Sequence, residues 1–301
     1  MATQFQGVNT EDECRAVLHA AFSGLAIESL GYLAEGWDST VFAVNDRHVF
    51  RFPKRAGVDA TLRKEIQLLP ALVPVLPTAV PDFDFVSSPT TTYAWHIVGY
   101  QKLPGTPADE YQWTPGAIAA IAPALTAFLH ALHAFPVDRA AALGAPSYPP
   151  RAWLDRHRAL YATARDAAEP HLPVGTFARF VAHWEQMLAE DERFDFVPVL
   201  IHGDLAMEHV LIDEEGGLSG VIDFGDAMVA DPALDFAGFP DTLARRVLHL
   251  YGEDPAARDG IWLRRELYRQ AGPLHEIWAG AELGRADLLR SGIEDLGRTH
   301  G

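Results

Sequence analysis

The 301-residue sequence is poor in cysteine and has few basic residues relative to its acids. Its one cysteine, Cys14, excludes an internal disulfide framework and a cysteine-rich zinc site. Its 24 lysines and arginines face 41 aspartates and glutamates, which gives a formal charge of −17. Because nucleic acids and anionic membranes are polyanions, this balance argues against either as the main partner and favours a cationic ligand. The same charge is also typical of acidic surfaces that keep cytosolic proteins in solution.

Long apolar runs are also missing. The most apolar stretch, Gly116 to Leu129, contains Pro123 and is shorter than the roughly 18 residues that spanning a membrane requires. It therefore predicts a buried core helix. Residues 1–13 lack the basic region and apolar core of a secretory signal. We expect a cytoplasmic, soluble monomer with no membrane partner.

Strand-like and helix-like patterns are unevenly distributed along the chain. The length and a hydrophobic content of 49% allow two lobes with a sizeable core. Thr10 with Glu13 predicts a capping box at the start of a first helix. Residues 29–100 combine short β-rich runs with one helical stretch, and Asn45-Asp46 predicts a hairpin turn. This part predicts a small antiparallel sheet with an inserted helix. We also expect a helix that kinks or ends at Pro70, a strand over Thr92–Tyr100, a loop over 137–150 and helix breaks at Gly252, Gly260 and Gly272.

The strongest chemical signal lies between residues 201 and 226. His202–Asp204 follows an apolar strand, His209 comes five residues after Asp204, and a later strand ends in Asp223–Asp226. Two carboxylates at neighbouring loop ends, with a histidine nearby, make a compact pocket for a divalent cation and a hydroxyl group. A buried strand–turn–strand whose acids only cap turns is the alternative, but the ordered combination is more specific than that.

This run resembles the catalytic and metal-binding loops of protein kinases, and it looks most like the antibiotic phosphotransferases. Within that family it is most similar to the aminoglycoside 2″-phosphotransferases, which commonly have a histidine, here His209, where eukaryotic kinases have asparagine. Asp231 and Asp235-Phe236 match a further family run. Macrolide phosphotransferases share the histidine but typically have tryptophan at the position of Phe224. The resemblance implies a bilobal protein-kinase-like α+β fold, with a small antiparallel β-sheet N-lobe over residues 1–98, a hinge over 99–105 and a larger, mostly helical C-lobe over 106–301.

The resemblance also implies residue roles. Asp204 would be the catalytic residue that orients the acceptor hydroxyl and accepts its proton. Asp223 would hold Mg²⁺ against the phosphates of GTP or ATP. His209 would be a second metal ligand, although imidazole is a poorer donor for Mg²⁺ than an oxygen. The residues expected to support the catalytic loop structurally are His202, Asp231 and Asp235.

The first lobe carries the matching nucleotide-binding features. Glu35–Ser39 occupies the place of the nucleotide loop, with one glycine where protein kinases have three; alone, it is equally an ordinary hairpin turn. By resemblance, Arg51 takes the position of the phosphate-binding lysine, with Lys54 as the alternative. Glu65 would pair with that cation, unless it only lies on a solvated helix face. The other expected nucleotide-binding residues are Ser39, Tyr100, Gln101 and Leu103, and in the family a bulky aromatic at the position of Tyr100 is associated with GTP.

The acceptor side matches the family less well. Known members carry several acids after the run that ends in Asp235-Phe236, whereas this chain has Asp241 and then Arg245-Arg246. We expect a phosphotransferase that acts on the 2″-hydroxyl of an aminoglycoside, in antibiotic resistance. A macrolide or small-metabolite kinase is the first alternative, and a nucleotide-binding pseudokinase-like module is the second. The expected substrate-binding residues are Asp204, Asp226, Glu276, Trp278 and Glu282, the last three on a helix that is otherwise an amphipathic surface helix.

Overall fold

A computed structural model describes residues 7–36, 38–189 and 191–301. Trp37, in the segment compared with the nucleotide loop, lies outside the described residues. So do the first six residues, which belong to the segment searched for a secretory signal.

The first part of the chain forms a five-stranded antiparallel sheet with strand order β1-β2-β3-β5-β4. The predicted hairpin joins β2 to β3, because Asn45 and Asp46 both adopt left-handed backbone angles, φ 56° and 51°, which suit a tight two-residue turn. Two helices flank the sheet, and the first begins with the capping box predicted at Thr10 and Glu13. The elements are α1 (Glu11–Ala21), β1 (Leu30–Glu35), β2 (Ser39–Val44), β3 (His48–Pro53), α2 (Ala56–Leu72), β4 (Phe83–Ser87) and β5 (Ile97–Gln101).

Two expectations for this part are wrong in detail. Helix α2 continues through Pro70, because a proline near the end of a helix removes one donor while Val73 N–H still reaches the Leu69 carbonyl at 2.9 Å. Strand β5 begins at Ile97 and not at Thr92. The Thr90 hydroxyl accepts hydrogen bonds from the Thr92 and Tyr93 N–H groups at 3.1 and 3.0 Å, which makes a local turn instead of a strand.

The rest of the chain is mostly helical and contains two small antiparallel sheets. One has the order β6-β8-β9, and the other pairs β7 with β10. The elements are β6 (Thr106–Pro107), α3 (Pro115–His133), α4 (Val137–Ala142), α5 (Pro150–Ala168), α6 (Val174–Ala189), β7 (Val199–Ile201), β8 (Val210–Ile212), β9 (Leu218–Val221), β10 (Met228–Ala230), α7 (Asp241–Tyr251), α8 (Pro255–Gln270), α9 (Gly272–Leu283) and α10 (Ala286–His300).

Two further predictions fail here. The expected loop over 137–150 begins with α4, because its run of alanines has high helix propensity. Gly260 lies inside α8, where one glycine costs only about 1 kcal/mol relative to alanine. Among the glycines that were not predicted as helix breaks, Gly284 ends α9 with a left-handed φ of 69°.

Helix α3 is longer than the apolar stretch that predicted it. With 19 residues, it is the one helix in the described part of the chain that is long and apolar enough, by length and composition alone, to cross a membrane. A core helix passes the same test. The face of α3 that includes Leu125, Phe128 and Leu132 belongs to the main hydrophobic core, and α3 packs against α7.

Short strands bring two loops together. Ile201 pairs with Met228, and Val210 pairs with Val221. The loop over 202–209 therefore lies beside the loop over 222–227, with the main hydrophobic core behind both. The expected α+β architecture, an antiparallel sheet followed by a mostly helical part, is confirmed.

Candidate active site

The loop that carries Asp204 is held from behind by the buried carboxylate of Asp235. This carboxylate accepts hydrogen bonds from the backbone N–H groups of His202 and Gly203, both at 2.9 Å, and from His133 Nε2 at 3.0 Å. His202 Nε2 donates to the Ile222 carbonyl at 3.0 Å, and its Nδ1 accepts from Asp204 N–H at 3.3 Å. Backbone groups on both loops are thus bound to fixed partners, which orients the Asp204 side chain.

Asp204 is the exposed carboxylate of this arrangement, with 54% of its side chain accessible. His209 Nδ1 donates to the Asp204 carbonyl at 2.8 Å and lies 3.6 Å from the Asp204 carboxylate. Partial burial raises the pKa of Asp204 to about 6; His209 opposes this shift, and the carboxylates of Asp226 and Asp223 add to it. A pKa of about 6 is close to the value that suits a general base at neutral pH.

Asp223 ends the neighbouring strand in a left-handed conformation, φ 66° and ψ 69°. This conformation is uncommon for a residue with a side chain and costs about 1–3 kcal/mol. It therefore persists only where the surrounding structure imposes it. Its Oδ1 accepts from Arg51 at 3.3 Å and from Gly225 N–H at 3.4 Å. Burial raises the pKa of Asp223, but Arg51, His209 and His202 outweigh it, so the pKa is lowered overall. Asp223 is therefore an ionised carboxylate.

Asp223 and His209 together form the candidate metal position. His209 Nδ1 donates to a carbonyl, so Nε2 is the ring nitrogen that faces Asp223, 3.9 Å from its Oδ2. In the described part of the chain, no group of three or more His, Cys, Asp or Glu side chains could hold a metal ion. Mg²⁺ is commonly bound through one or two carboxylates, with water and substrate phosphates completing its octahedron. Asp223 fits that pattern, whereas His209 is the less suitable donor.

A buried ion pair lies behind Asp223. Arg51 donates to Glu65 at 2.7 Å and bridges to Asp223, and the Arg51 and Glu65 side chains are only 10% and 1% exposed. Burial lowers the pKa of Arg51, but the two carboxylates outweigh it and raise the pKa overall. Burial raises the pKa of Glu65, which Arg51 opposes. Arg51 and Glu65, which the family resemblance pairs, are thus in contact in the structure.

Lys54, the alternative phosphate-binding cation, contacts the nucleotide loop itself. Its ammonium donates to the Glu35 carboxylate at 2.6 Å and to the Gly36 carbonyl at 2.7 Å. Arg55 forms a further 2.6 Å ion pair with Asp38 in the same loop. Ser39 is buried at the start of β2. These contacts hold the loop against the end of β3. They fix its position without the three glycines that protein kinases have in the corresponding loop.

The predicted hinge residues lie between the sheet and the small sheet of the helical part. Tyr100 is buried in β5 with its ring centre 5.9 Å from that of Phe83, and burial raises the pKa of its hydroxyl to about 12. Gln101 is the exposed last residue of β5. Leu103 lies against Gly220 of β9, where a side chain would crowd it at 3.1 Å. The hinge is therefore packed onto β9.

Lys64 is a site residue that the sequence reasoning missed. It donates to the Gly225 carbonyl at 2.5 Å and to the Ala227 carbonyl at 2.8 Å, from a side of α2 that is buried. Burial lowers the pKa of Lys64, while Glu65, Asp226 and Asp223 oppose this. A signal was present, because Lys64 stands one helical turn before the buried Leu68, on the apolar face of α2.

The predicted acceptor residues form two separate groups. Asp226 is exposed beside the loop that carries Asp204; partial burial of its carboxyl raises its pKa overall, and Lys64 and Arg156 oppose this shift. Glu276, Trp278 and Glu282 lie on α9, which packs against α5 and α10. Trp278 is 40% exposed, and Glu276 has one buried carboxylate oxygen without a hydrogen-bond partner. Glu282 is exposed near the end of α9.

The acids of the 231–241 segment have partners within the protein. Asp231 is fully buried and accepts from Arg264 at 2.5 Å and from the Tyr268 hydroxyl at 2.6 Å, which anchors α8. Asp241 pairs with Arg265 and Arg269 at 3.1 and 2.6 Å. These carboxylates therefore stabilise the helical part of the fold.

Comparison with known structures places this geometry among antibiotic kinases. The chain is similar to the GDP and kanamycin complex of APH(2″)-IIIa, with 27% identity, a TM-score of 0.86, and coverage of 95% of this chain and 97% of that chain. It is also similar to the macrolide 2′-phosphotransferase MphH from Brachybacterium faecium, with 26% identity, a TM-score of 0.73, and coverage of 94% and 98%.

Sequence comparison adds a curated relative and a family. The uncharacterised protein YcbJ of Bacillus subtilis (strain 168) is 32% identical over 117 residues, which are 39% of this chain and 33% of that protein. The chain thus matches about a third of the length of that relative. The phosphotransferase enzyme family matches residues 30–273, which include both loops and the Arg51–Glu65 pair. The expected resemblance is confirmed, and the chain belongs to the phosphotransferase enzyme family.

Proposed function

We propose that this protein transfers the γ-phosphoryl group of a nucleoside triphosphate to a hydroxyl group of a small molecule. One observation carries the proposal. An exposed carboxylate with a raised pKa, Asp204, lies beside an ionised carboxylate, Asp223, with His209 between them. The first suits proton acceptance from a hydroxyl, and the second suits a phosphate-bound cation.

The chain's own residues supply positioning and proton transfer. Asp204 orients the acceptor hydroxyl and takes its proton as the new P–O bond forms and the bond to the β-phosphate oxygen breaks. Asp223, with His209 beside it, would hold Mg²⁺, which when bound neutralises phosphate charge. Arg51 is held by Glu65 and places a fixed positive charge against Asp223. No covalent enzyme intermediate is required, because in-line transfer depends mainly on orientation and electrostatics.

The acceptor that we propose first is the 2″-hydroxyl of an aminoglycoside, with GTP or ATP as donor and antibiotic resistance as the biological role. The similarity to a kanamycin-bound 2″-phosphotransferase supports this acceptor class. So does the formal charge of −17, which favours a cationic substrate. Glu276, Trp278 and Glu282 would meet its ammonium groups and sugar faces. Buried Tyr100 at the hinge supports GTP.

A second candidate is a macrolide or small-metabolite kinase, and the charges around Asp226 favour it. Asp226 has two cations near it, Lys64 and Arg156, as well as the carboxylates of Asp223 and Asp38. The Arg156 guanidinium lies 5.3 Å from the ring centre of Tyr148, whose N–H is fixed to the Val229 carbonyl at 2.8 Å. These two cations offset part of the negative charge of the carboxylates, so a polycation gains less attraction here than the acids alone would give, whereas a singly charged or neutral acceptor loses little.

A nucleotide-by-acceptor matrix tests the proposal. Purified protein is incubated with Mg²⁺ and either ATP or GTP, against kanamycin-type aminoglycosides, erythromycin, amino alcohols and sugars. We expect one acceptor to gain the mass of one phosphate, and Asp204→Asn to lose roughly 10²–10⁴-fold in rate. Transfer only to a non-aminoglycoside alcohol selects the second candidate. Nucleotide binding without transfer to any acceptor contradicts both and supports a pseudokinase-like module.

The remaining expectations are also proposals. We propose a cytoplasmic monomer with lobes over residues 1–98 and 106–301, joined by a hinge over 99–105. The run of β5 to Gln101 supports a connection that starts at the end of this strand. Sedimentation equilibrium tests the oligomeric state, because a monomer has a mass of 33.0 kDa.

A further inference from the structure

Lys64 makes an unusual link between the helix behind the sheet and the loop that carries two active-site carboxylates. Its ammonium binds the carbonyls of Gly225 and Ala227, the residues on either side of Asp226. The side chain comes from α2 of the first part of the chain, and the carbonyls belong to the second part, 161 and 163 residues later. A lysine with two carbonyl acceptors, and only 9% exposed, is held in one place.

The neighbouring residue on α2 holds the same loop from its other end. Glu65 binds Arg51, and Arg51 bridges to Asp223. Consecutive residues of one helix therefore fix the loop at both ends, Lys64 through backbone carbonyls and Glu65 through a guanidinium. Between these anchors, Asp223 keeps its left-handed conformation. Strained backbone of this kind persists only where the surroundings determine it.

We infer that Lys64 is a positioning residue that clamps the 223–227 loop to α2 and thereby keeps Asp223 and Asp226 facing the cleft. This inference rests on the proposed function for its kinetic consequences, but the clamp itself does not. Among the described residues, the hydrogen bonds of the Lys64 ammonium go to backbone carbonyls, so it acts through the loop and is not a catalytic residue.

The kinetic test compares three variants on the acceptor found in the matrix. Lys64→Met should lower kcat about 10–100-fold and raise the Mg²⁺ concentration for half-maximal rate, because a shift of about 1 Å in a positioned group has an effect of this size. Lys64→Arg keeps donors for two carbonyls and should recover most of the rate. Arg63→Met removes a cation from the exposed face of α2, where the side chain is 59% exposed and pairs with Asp59 at 3.4 Å, and should leave both quantities unchanged.

A second readout needs no turnover. The sequence has only three lysines, Lys54, Lys64 and Lys102, so ¹⁵N-lysine labelling gives an interpretable spectrum. The Lys64 ammonium should give a slowly exchanging N–H signal, assigned by its loss in Lys64→Arg, and this signal should shift when Mg²⁺ and a nucleotide bind. If the wild type transfers no phosphate, the proposed function fails, while this signal still supports the clamp. A Lys64→Met variant with wild-type Mg²⁺ dependence, or a rapidly exchanging Lys64 ammonium, overturns the inference.

Discussion

Asp204 and Asp223 are both carboxylates at loop ends, yet their surroundings shift their pKa values in opposite directions. Partial burial dominates at Asp204 and raises its pKa to about 6, whereas Arg51 and two histidines outweigh burial at Asp223. Pairs of acids separated in this way are typical of sites where one group exchanges protons and the other keeps its charge. This difference in pKa suits Asp204 to proton exchange and Asp223 to a permanent negative charge.

The raised pKa of Asp204 predicts the pH dependence of activity. As the pH rises through about 6, Asp204 loses its proton and becomes able to accept one, so kcat/KM should rise over this range. His209 lowers the pKa of Asp204, so His209→Gln should move the acid limb to higher pH. A pH–rate profile from 5 to 8 measures both. An acid limb that stays at the same pH in His209→Gln contradicts the assignment of that limb to Asp204.

Ionisation of Asp204, which should raise activity, should lower the stability of the fold. Its pKa is raised on folding, so the folded state holds the Asp204 proton more tightly, and stability is lost as the pH rises from the ordinary carboxyl pKa of 3.8 towards about 6. At pH 7 the charged carboxylate is therefore unfavourable. Asp204→Asn should raise the melting temperature by about 1–3 °C while it abolishes transfer. A melting temperature that falls in this variant at pH 7 would falsify the environment described for Asp204.

The buried Arg51–Glu65 pair should be costly to break and much less costly to replace. Arg51→Met leaves the buried Glu65 carboxyl without its partner, so we expect a loss of about 3–5 kcal/mol in the free energy of unfolding. Arg51→Met with Glu65→Leu removes both charges and should recover at least half of that loss. Denaturant unfolding of the single and double variants measures the difference. Additive losses would show that the two charges do not compensate each other.

At the scale of elements, the two active-site loops approach each other closely enough for their backbones to touch at Gly203. Gly203 has φ 86°, and a Cβ there would overlap the carbonyl of Asp226. The catalytic loop can therefore pack directly against the 223–227 loop only with glycine at this position. Buried Asp235 accepts from the backbone of the same turn. The relative placement of Asp204 and Asp223 depends on these close contacts.

Gly203→Ala tests this packing. The added Cβ meets a backbone atom that cannot move freely, and the φ value is unfavourable for alanine, so we expect a loss of about 2–4 kcal/mol in stability and roughly 100-fold in kcat. Gly252→Ala is the matched control, because nothing lies within 4 Å of its added Cβ and its φ is −150°. Equal effects of the two substitutions on kcat would show that the contact with Asp226 is unimportant.

The elements show where local sequence was sufficient. The Asn45-Asp46 turn and the Thr10 capping box were predicted because each depends on residues within a few positions of one another. The end of α2 and the interior of α8 were predicted wrongly because tertiary packing carries a helix through Pro70 and Gly260. Local propensity amounts to about 1 kcal/mol per glycine, which packing of a buried helix face readily exceeds.

At the scale of the whole molecule, the negative charge does not by itself make an acceptor site for a polycation. Asp231 and Asp235 are fully buried within the fold, and Asp241 is paired with arginines. Arg156 adds a cation close to Asp226. Net charge sets long-range attraction, whereas affinity depends on the few groups that meet the ligand.

Arg156 should therefore control how well polycations bind. We expect Arg156→Gln to lower the KM or inhibition constant of kanamycin about fivefold at low salt, and the effect to shrink at high salt because charges at the surface are screened. Arg151→Gln, on the exposed first turn of α5, is the control and should change neither constant. Steady-state kinetics at two salt concentrations measure the effect. Identical constants for wild type and Arg156→Gln would remove Arg156 from the acceptor side.

By itself, the sequence determined the fold class, the family resemblance and the candidates Asp204, His209 and Asp223, because these follow from short ordered motifs and local periodicity. The family resemblance also proposed the Arg51–Glu65 pair, but only the tertiary structure decided the other charge contacts. It placed Arg51 against Asp223 as well, paired Lys54 with Glu35, and brought Lys64 to the 223–227 loop. The physical reason is that burial and ion pairing depend on distances between residues far apart in the chain, which no local pattern specifies.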